Sequence, residues 1–351
     1  MSKPRRFLLV SLCLVCVLGL AWGLLRTSAP VIPDAIKHGY SEALAQARNG
    51  QPGAARVLYQ QLGRPDLSAK RRIWLLNELP NYPSPQALKL ADAHLLHSAV
   101  DVRQAAIKSV LGLVPSGQRS LLLGPLLDDP VQSVRFATVN ALLGLSPDEL
   151  GLYFAPLQQA IDAYESQIKS QPESAANAYQ LARLYLHNAE LKAAQQALEN
   201  TLRLDPGNLP ALVMQIEVLD RQGQNDAARQ LLAKQLQAQP NSAYLQHALG
   251  LWLLHHGQPE YAVLGLSKAV ELEPNNKDYR YDLATTLHGE QELEAAQKQL
   301  EEIVQRYPAD RKARVLLINY WKESGQLQNV QILLAQLEQL NPDDPALQQG
   351  L

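Results

Sequence analysis

The chain has 351 residues, of which 46% are apolar, so it is long and apolar enough to bury a substantial core. Its formal net charge of −2 argues against a polyanion as an obligate partner. Residues 31–150 carry 12 Lys and Arg against 10 Asp and Glu, whereas residues 175–344 carry 15 against 21. The C-terminal half is therefore acidic, which is unfavourable for binding phosphate backbones and predicts no nucleic-acid partner.

The N-terminal segment reads as a membrane anchor. Residues 7–25 form an uninterrupted apolar run of 19, which suffices to cross a bilayer as a helix. Lys3, Arg5 and Arg6 precede this run, so the positive-inside bias predicts a cytoplasmic N terminus at residues 1–6 and an exported remainder. Cleavage of the segment as a secretory signal, which would leave a soluble protein, is the alternative.

The two cysteines of the chain, Cys13 and Cys16, both lie in the apolar run. Their C-x-x-C spacing is compatible with a redox or metal site, but Val17 follows directly, so this is not a haem attachment motif. We interpret both as ordinary residues of a membrane helix and predict no cofactor. Residues 26–35 form a short, proline-containing linker.

A loose repeat with a spacing of 32 residues runs through residues 36–150. It aligns Arg71, Arg103 and Arg135, and its last unit reads LLGPLLDDPVQSVRFATVNALLGL. This unit resembles a HEAT repeat, with a first helix, an Asp-Asp-Pro turn and a Val-Arg pair opening the second helix. The resemblance implies HEAT-like helical hairpins over 36–150, two of them clear and a third around Arg71.

The repeated arginine has two possible roles, a binding stripe or a structural contact. We expect Arg103 and Arg135 to be structural and to bond acidic groups or carbonyls between stacked repeats. Asp101 and Asp129 are the predicted acidic partners.

The HEAT-like segment passes into the next array without a flexible spacer. Ser146 and Glu149 have the spacing of a helix capping box, which predicts a helix start at this point. Residues 151–174 then form a half-repeat that caps the following array.

A second repeat has a period of 34 residues. Proline recurs at this spacing and predicts the end of a helix each time, because proline cannot continue one. Small residues, including Gly250, recur where two helices must approach closely. The prolines are Pro172, Pro206, Pro240, Pro274, Pro308 and Pro342.

This array resembles the tetratricopeptide repeat family over residues 175–344, followed by a tail at 345–351. The five repeats are predicted at 175–208, 209–242, 243–276, 277–310 and 311–344. The resemblance implies an all-α fold: a right-handed superhelical α-solenoid of HEAT-like and then tetratricopeptide hairpins, in addition to the N-terminal transmembrane helix.

In the tetratricopeptide family, certain positions of each first helix face a concave groove that binds other proteins. The resemblance carries this role to eleven residues, with the tyrosines as the expected anchors. The family's pattern for gripping a C-terminal carboxylate is absent, because Tyr179 and Arg183 occupy those positions. The predicted groove residues are Tyr179, Arg183, Glu217, Arg221, Tyr244, His247, Leu251, Tyr281, His288, Asn319 and Lys322.

No catalytic constellation is recognisable. The histidines assigned to the groove, His187, His247, His255 and His288, form no H-x-x-H or H-E-x-x-H pattern, and the chain has no Gly-rich phosphate loop and no G-x-S-x-G elbow. We therefore predict a protein that is not an enzyme and that has no metal site.

HEAT-like units followed directly by tetratricopeptide repeats are similar to the C-terminal half of a group of bacterial periplasmic multihaem c-type cytochromes, here without the haem-bearing half. The resemblance implies a scaffold at the periplasmic face of the bacterial inner membrane that helps to assemble a respiratory or envelope complex. The alternative is an accessory subunit of a redox or cell-envelope enzyme. The oligomeric state remains open.

Overall fold

The structure, a computed structural model, describes residues 39–348, which are helical and contain no β-strand. Residues 40–348 belong to one compact unit. Short 3-10 segments follow α3, α6 and α8. The helices are α1 (Tyr40–Arg48), α2 (Ala54–Leu62), α3 (Ala69–Glu78), α4 (Pro85–Leu95), α5 (Val100–Leu113), α6 (Ser116–Leu123), α7 (Gln132–Leu142), α8 (Pro147–Leu150), α9 (Phe154–Lys169), α10 (Ala175–His187), α11 (Leu191–Leu204), α12 (Leu209–Arg221), α13 (Asn225–Ala238), α14 (Ala243–His255), α15 (Pro259–Leu272), α16 (Lys277–Gly289), α17 (Leu293–Arg306), α18 (Arg311–Glu323), α19 (Leu327–Leu340) and α20 (Pro345–Gln348).

The N-terminal half is a two-layer stack of helices. In one layer α3, α5, α7 and α9 pack in succession, while α4 and α6 pack against α5 from the other layer. Their shared core contains fully buried Leu75, Leu76 and Val110. This arrangement agrees with stacked helical hairpins, and its assignment to the HEAT class stays a prediction.

An arginine is the fourth residue of α3, α5 and α7. Arg103 Nη2 donates to Asp129 Oδ1 at 3.0 Å within a buried ion pair, and Arg135 donates to the carbonyl oxygen of Asp129 at 2.6 Å. In α3 this position holds Arg72, which donates to several loop carbonyls; Arg71, which the sequence alignment chose, is exposed. The segment before α3 is thus shifted by one residue relative to the loops before α5 and α7. Arg72, not Arg71, therefore has the predicted role of a structural arginine.

The junction between the two arrays is continuous. The backbone N–H of Ser146 donates to Glu149 Oε2 at 2.9 Å while the Ser146 side chain caps Glu149, which confirms the predicted capping box. Past this start, Tyr164 of α9 stacks on Phe136 of α7 with ring centroids 3.7 Å apart. The stacking of helices therefore proceeds from α7 through α9 towards α10.

Helices α10 to α19 form five hairpins, each with a first helix of 13 residues and a second of 14. Each second helix ends two residues before a proline of the 34-residue ladder, which confirms the predicted helix ends. Two further features keep the same period: a polar cap before each first helix and a residue with positive φ between the two helices. The caps are Ser174, Asn208, Ser242, Asn276 and Asp310; the positive-φ residues are Ala189, Gly223, Gly257, Gln291 and Gly325.

The third hairpin is the tightest contact between paired helices. A Cβ added at Gly250 of α14 would lie 2.6 Å from Leu266 Cγ, and one added at Gly265 of α15 would lie 3.1 Å from the Gly250 nitrogen. A larger residue at either position would therefore crowd the facing helix, and the two glycines allow the close approach. Gly250 therefore has the packing role predicted from the sequence.

The two ends of the array are in contact, so the solenoid closes on itself. The N–H of Gly53 donates to the carbonyl oxygen of Gln339 at 2.7 Å, and the side-chain amide of Asn341 donates to the Pro83 carbonyl oxygen at 2.7 Å. These bonds join the loops around α2 and α4 to the end of α19.

Apolar packing supports the same closure. Ala309, at the end of the fourth repeat, and Leu340, in the last repeat, are buried in the hydrophobic core of the N-terminal helices. Gly50, with a φ of 55°, lies so close to the end of the fourth repeat that an added Cβ would be 2.5 Å from the Pro308 carbonyl oxygen. The sequence predicted a right-handed superhelix without indicating whether its ends meet; the closure is a finding of the tertiary structure.

The predicted localisation requires correction. The longest helix between residues 39 and 348 has 16 residues, whereas a membrane span needs about 20, and none of the helices there is both long and apolar enough to cross a bilayer. The prediction of a single-pass inner-membrane protein with a periplasmic repeat domain is contradicted and is withdrawn. The segment at 7–25, on which it rested, lies outside the described residues.

Candidate protein-binding groove

The predicted groove residues occupy five successive first helices. The tyrosines and histidines are partly buried, whereas Glu217, Arg221, Leu251 and Lys322 are exposed. They are Tyr179 and Arg183 on α10, Glu217 and Arg221 on α12, Tyr244, His247 and Leu251 on α14, Tyr281 and His288 on α16, and Asn319 and Lys322 on α18.

Three depressions lie along this face, which we call the first-helix face. One of about 690 Å³ separates the α7–α9 region from α10 and α12, and Arg183 and Arg221 line it. A second, of about 380 Å³, lies between α12 and α14. The third, of about 430 Å³, lies between α16, α18 and Gly112 of the N-terminal half, with Tyr281 and Asn319 in its wall. The N-terminal half therefore borders the first-helix face at both ends.

The three predicted tyrosine anchors are only partly accessible. Burial raises the pKa of Tyr179, Tyr244 and Tyr281 above the ordinary value, so all three are neutral hydrogen-bonding groups at neutral pH. Tyr179 also packs on the core of the first repeat, as expected of a residue that fills a seam. The Lys312 ammonium lies 3.5 Å from the Tyr281 ring centroid, a cation–π contact that orients this ring.

Two histidines connect adjacent first helices in the same way. His247 Nε2 lies 2.7 Å from Asp282 Oδ2, and its ring stacks on Tyr279. His288 Nε2 lies 2.6 Å from Glu323 Oε2, and its ring stacks on Tyr320. Each carboxylate comes 35 residues after its histidine and each tyrosine 32 residues after it. These separations are close to the 34-residue period, so each histidine contacts the first helix of the next repeat. These histidines stabilise the stacking of repeats.

Arg183 and His187 face the N-terminal half. Arg183 donates to Asn140 Oδ1 of α7 at 2.7 Å, and His187 Nδ1 accepts the N–H of Gly144 at 3.1 Å. Burial lowers the pKa of His187, in agreement with a neutral ring that accepts this bond. The sequence argument missed Asn140, because only the fold brings α7 beside α10.

Helix α12 carries one ion pair and one further acidic residue. Glu217 and Arg221 form an ion pair at 2.7 Å, about half exposed. Asp220, which was not among the predicted residues, lies between them in the chain and lines the cavity between α12 and α14. The residues from 39 to 348 contain no group of three or more His, Cys, Asp or Glu side chains placed to hold a metal ion.

The repeat array defines the class of the protein. Residues 190–251 match the family model of the tetratricopeptide repeat, and this match together with the five helical hairpins shows that the chain carries tetratricopeptide repeats. Such repeats are in general scaffolds for protein–protein interaction and are typically non-catalytic.

Particular proteins resemble parts of the chain. It is 29% identical over 129 residues to the protein named "Uncharacterized protein y4yS" of Sinorhizobium fredii, covering 35% of this chain and 71% of that one. It is also similar to YrrB, described as a TPR protein with an unusual peptide-binding site, at 23% identity and a TM-score of 0.37, covering 54% of this chain and 98% of YrrB. The similarity to PilF of Pseudomonas aeruginosa has 20% identity and a TM-score of 0.39, covering 67% of this chain and 96% of PilF.

Proposed function

We propose that the protein binds a segment of a partner protein along the first-helix face of its tetratricopeptide repeats. The observation that carries the proposal is the row of half-buried tyrosines, Tyr179, Tyr244 and Tyr281, on three of the five first helices. Tyrosine provides a large contact area at a low entropic cost and is enriched among the residues that dominate binding energy.

The surroundings of these tyrosines suit a bound segment. Leu251 is exposed one turn from His247 on the same helix as Tyr244, and cavities of about 380 and 430 Å³ flank α14 and α16. Apolar side chains of an extended or helical segment would fill such depressions, while the charged groups at their rims would set its direction.

Photocrosslinking in intact cells tests the proposal. A photoreactive amino acid replaces Tyr244 or Tyr281, and Tyr261, which is exposed on the second helix α15, serves as the matched control. We expect both first-helix positions to capture the same protein and Tyr261 not to capture it. With that protein purified, Tyr244→Ala should weaken binding by about 2 kcal/mol or more, as loss of an anchor does, whereas Tyr261→Ala should leave it unchanged.

Two outcomes would contradict the proposal: equal capture from the control position, or unchanged affinity of Tyr244→Ala.

The identity of the partner as a subunit of a respiratory or envelope complex under assembly is a proposal that rests on the cytochrome resemblance alone. The alternative role, an accessory subunit of a redox enzyme, rests on that resemblance too. Haem absorbance and metal content of the purified chain test it.

A further inference from the structure

Arg72 of α3 is a buried arginine that forms no ion pair with any Asp or Glu between residues 39 and 348. Its guanidinium instead holds the α2–α3 loop, residues 63–68, and the last residue of α2. It donates hydrogen bonds to the carbonyl oxygens of Leu62, Arg64, Pro65 and Leu67. The position of the loop therefore depends on the position of this one side chain.

His94, near the end of α4, is the remaining partner of Arg72. Arg72 Nη1 donates to His94 Nε2 at 3.1 Å, and His94 Nδ1 lies 2.6 Å from the Leu90 carbonyl oxygen. A guanidinium can only donate, so Nε2 must be the unprotonated nitrogen and Nδ1 must carry the ring proton. The contact therefore requires a neutral imidazole.

Protonation of His94 would bring two positive charges together in a buried place. His94 is 6% exposed and Arg72 is 8% exposed, so little water is present to screen the repulsion. Burial lowers the pKa of His94, and the positive charge of Arg72 lowers it further. The other neighbours are also basic: His97 lies parallel to the His94 ring with centroids 6.1 Å apart, and Arg103 of α5 donates to the His97 carbonyl oxygen.

The acidic residues of the surrounding elements do not offset this charge. In the α2–α3 loop Asp66 is exposed and pairs with Arg64 at 2.5 Å. On α4 and α5, Asp92 and Asp101 are exposed, and neither forms an ion pair with His94. A protonated His94 would therefore remain without a counter-charge.

The next arginine of the series has a different kind of partner. Arg103, at the same position of α5, pairs with the carboxylate of Asp129. That contact joins opposite charges, whereas the contact of Arg72 joins a cation to a group that titrates close to neutral pH. Of these two contacts, the one between Arg72 and His94 is the one that added protons would break.

We infer that the N-terminal half contains an acid-sensitive contact, in which protonation of His94 expels its ring from Arg72 and releases the α2–α3 loop together with the end of α4. The released ring becomes solvated and regains an ordinary affinity for protons. Acid therefore favours the released state, and the stabilising effect of the contact is present at neutral pH and lost as the pH falls. This inference is independent of the proposed binding function.

Hydrogen exchange of the full chain at about pH 7.5 and about pH 5.5 tests the inference. The reporters are the amides of Gly63 and Arg64, which donate to the carbonyl oxygens of Tyr59 and Gln61. Their protection factors correct for the intrinsic pH dependence of exchange. A released imidazole has a pKa of about 6.5, so we expect these protection factors to fall by about tenfold between the two pH values.

The His94→Gln variant keeps an oxygen that can accept from Arg72 but removes the titration. In this variant the protection factors of Gly63 and Arg64 should change by less than about twofold between the two pH values. His255→Gln is the matched control, because His255 is exposed on α14 and the fall of about tenfold should persist.

Three results overturn the inference. The first is unchanged protection of Gly63 and Arg64 in the unaltered chain, which needs no variant and stands even if a substitution impairs folding. The second is an equal loss at the amide of Gly325, which donates to the Lys322 carbonyl oxygen in the last repeat, because this would show general unfolding by acid. The third is a fall of the same size in His94→Gln.

Discussion

At the scale of single residues, Arg103 shows how a repeated charge becomes part of the core. Its side chain is 9% exposed, and it bonds Asp129, whose side chain is 5% exposed, and the carbonyl oxygen of His97. Because the guanidinium is desolvated, its contribution to stability depends on keeping that carboxylate. The sequence indicated a structural role for Arg103 and named Asp129 as a possible partner.

Replacement of this partner should be costly. We expect Asp129→Ala to lower the free energy of unfolding by about 3 to 5 kcal/mol, because it leaves a buried guanidinium without its counter-charge. Urea unfolding followed by circular dichroism measures the change. In Asp226→Ala, which removes an exposed ion pair with Arg229, the loss should stay below about 1 kcal/mol. Comparable losses in the two variants would refute a structural role for the buried pair.

At the same scale, some residues of the candidate site could be placed from the sequence and others could not. The positions of Tyr179, Tyr244 and Tyr281 on first helices follow from the 34-residue period, so the sequence sufficed to place them. The partner of Arg183 could not be placed in this way. Asn140 lies 43 residues from Arg183, and their contact depends on how two arrays of different period stack. Asp220 was missed because only the stacking of α12 on α14 brings His256 Nε2 to 3.6 Å from its Oδ1 atom.

At the scale of helices, most boundaries could be predicted because their signals are local. Proline ends each second helix two residues upstream, and Ser146 begins α8 through a capping box. The closeness of α14 and α15 is also encoded locally, by a glycine in each helix. Their contact therefore provides a sensitive test of packing.

An added methyl group should strain this contact. In Gly250→Ala the new Cβ would meet Leu266 Cγ at 2.6 Å and the Ala262 carbonyl oxygen at 3.2 Å. We expect a loss of about 1 to 3 kcal/mol, typical of an overpacked interior. Thermal unfolding compares it with Gly289→Ala, at the end of α16, where nothing lies within 4 Å and alanine should be neutral or stabilising by up to about 1 kcal/mol. If the two substitutions have the same effect, the close approach is not what constrains Gly250.

At the scale of the whole molecule, closure of the array is the main feature that the sequence did not indicate. Residues more than 250 positions apart meet, as Gly53 does with Gln339 and Pro83 with Asn341. The closure limits how far the two halves can separate and therefore how wide the first-helix face can open. The proposed binding on this face depends on that geometry.

Disruption of the closure should loosen the molecule without unfolding its repeats. In Gly50→Val the side chain would collide with the Pro308 carbonyl oxygen, so we expect faster hydrogen exchange at the Gly53 amide and a larger radius of gyration by small-angle scattering. Gly223→Val is the matched control, because Gly223 also has positive φ, at 75°, but nothing lies within 4 Å of its added Cβ. Both variants carry the backbone strain; only Gly50→Val should release the Gly53 amide. Equal exchange at Gly53 in the two would show that the contact does not hold the ends together.

The sequence by itself determined the all-α class, the five 34-residue hairpins, their helix ends and the face that carries the tyrosines. These features rest on interactions within one repeat or between neighbours, and such interactions recur at fixed spacing in the chain. Only the tertiary structure decided that Arg72 and not Arg71 continues the arginine series, that His256 lies 3.6 Å from Asp220, and that the ends of the array meet. The first depends on the length of one loop and the second on how two neighbouring repeats stack. The closure depends on small rotations between successive repeats, which add up over the array and leave no periodic trace in the residues.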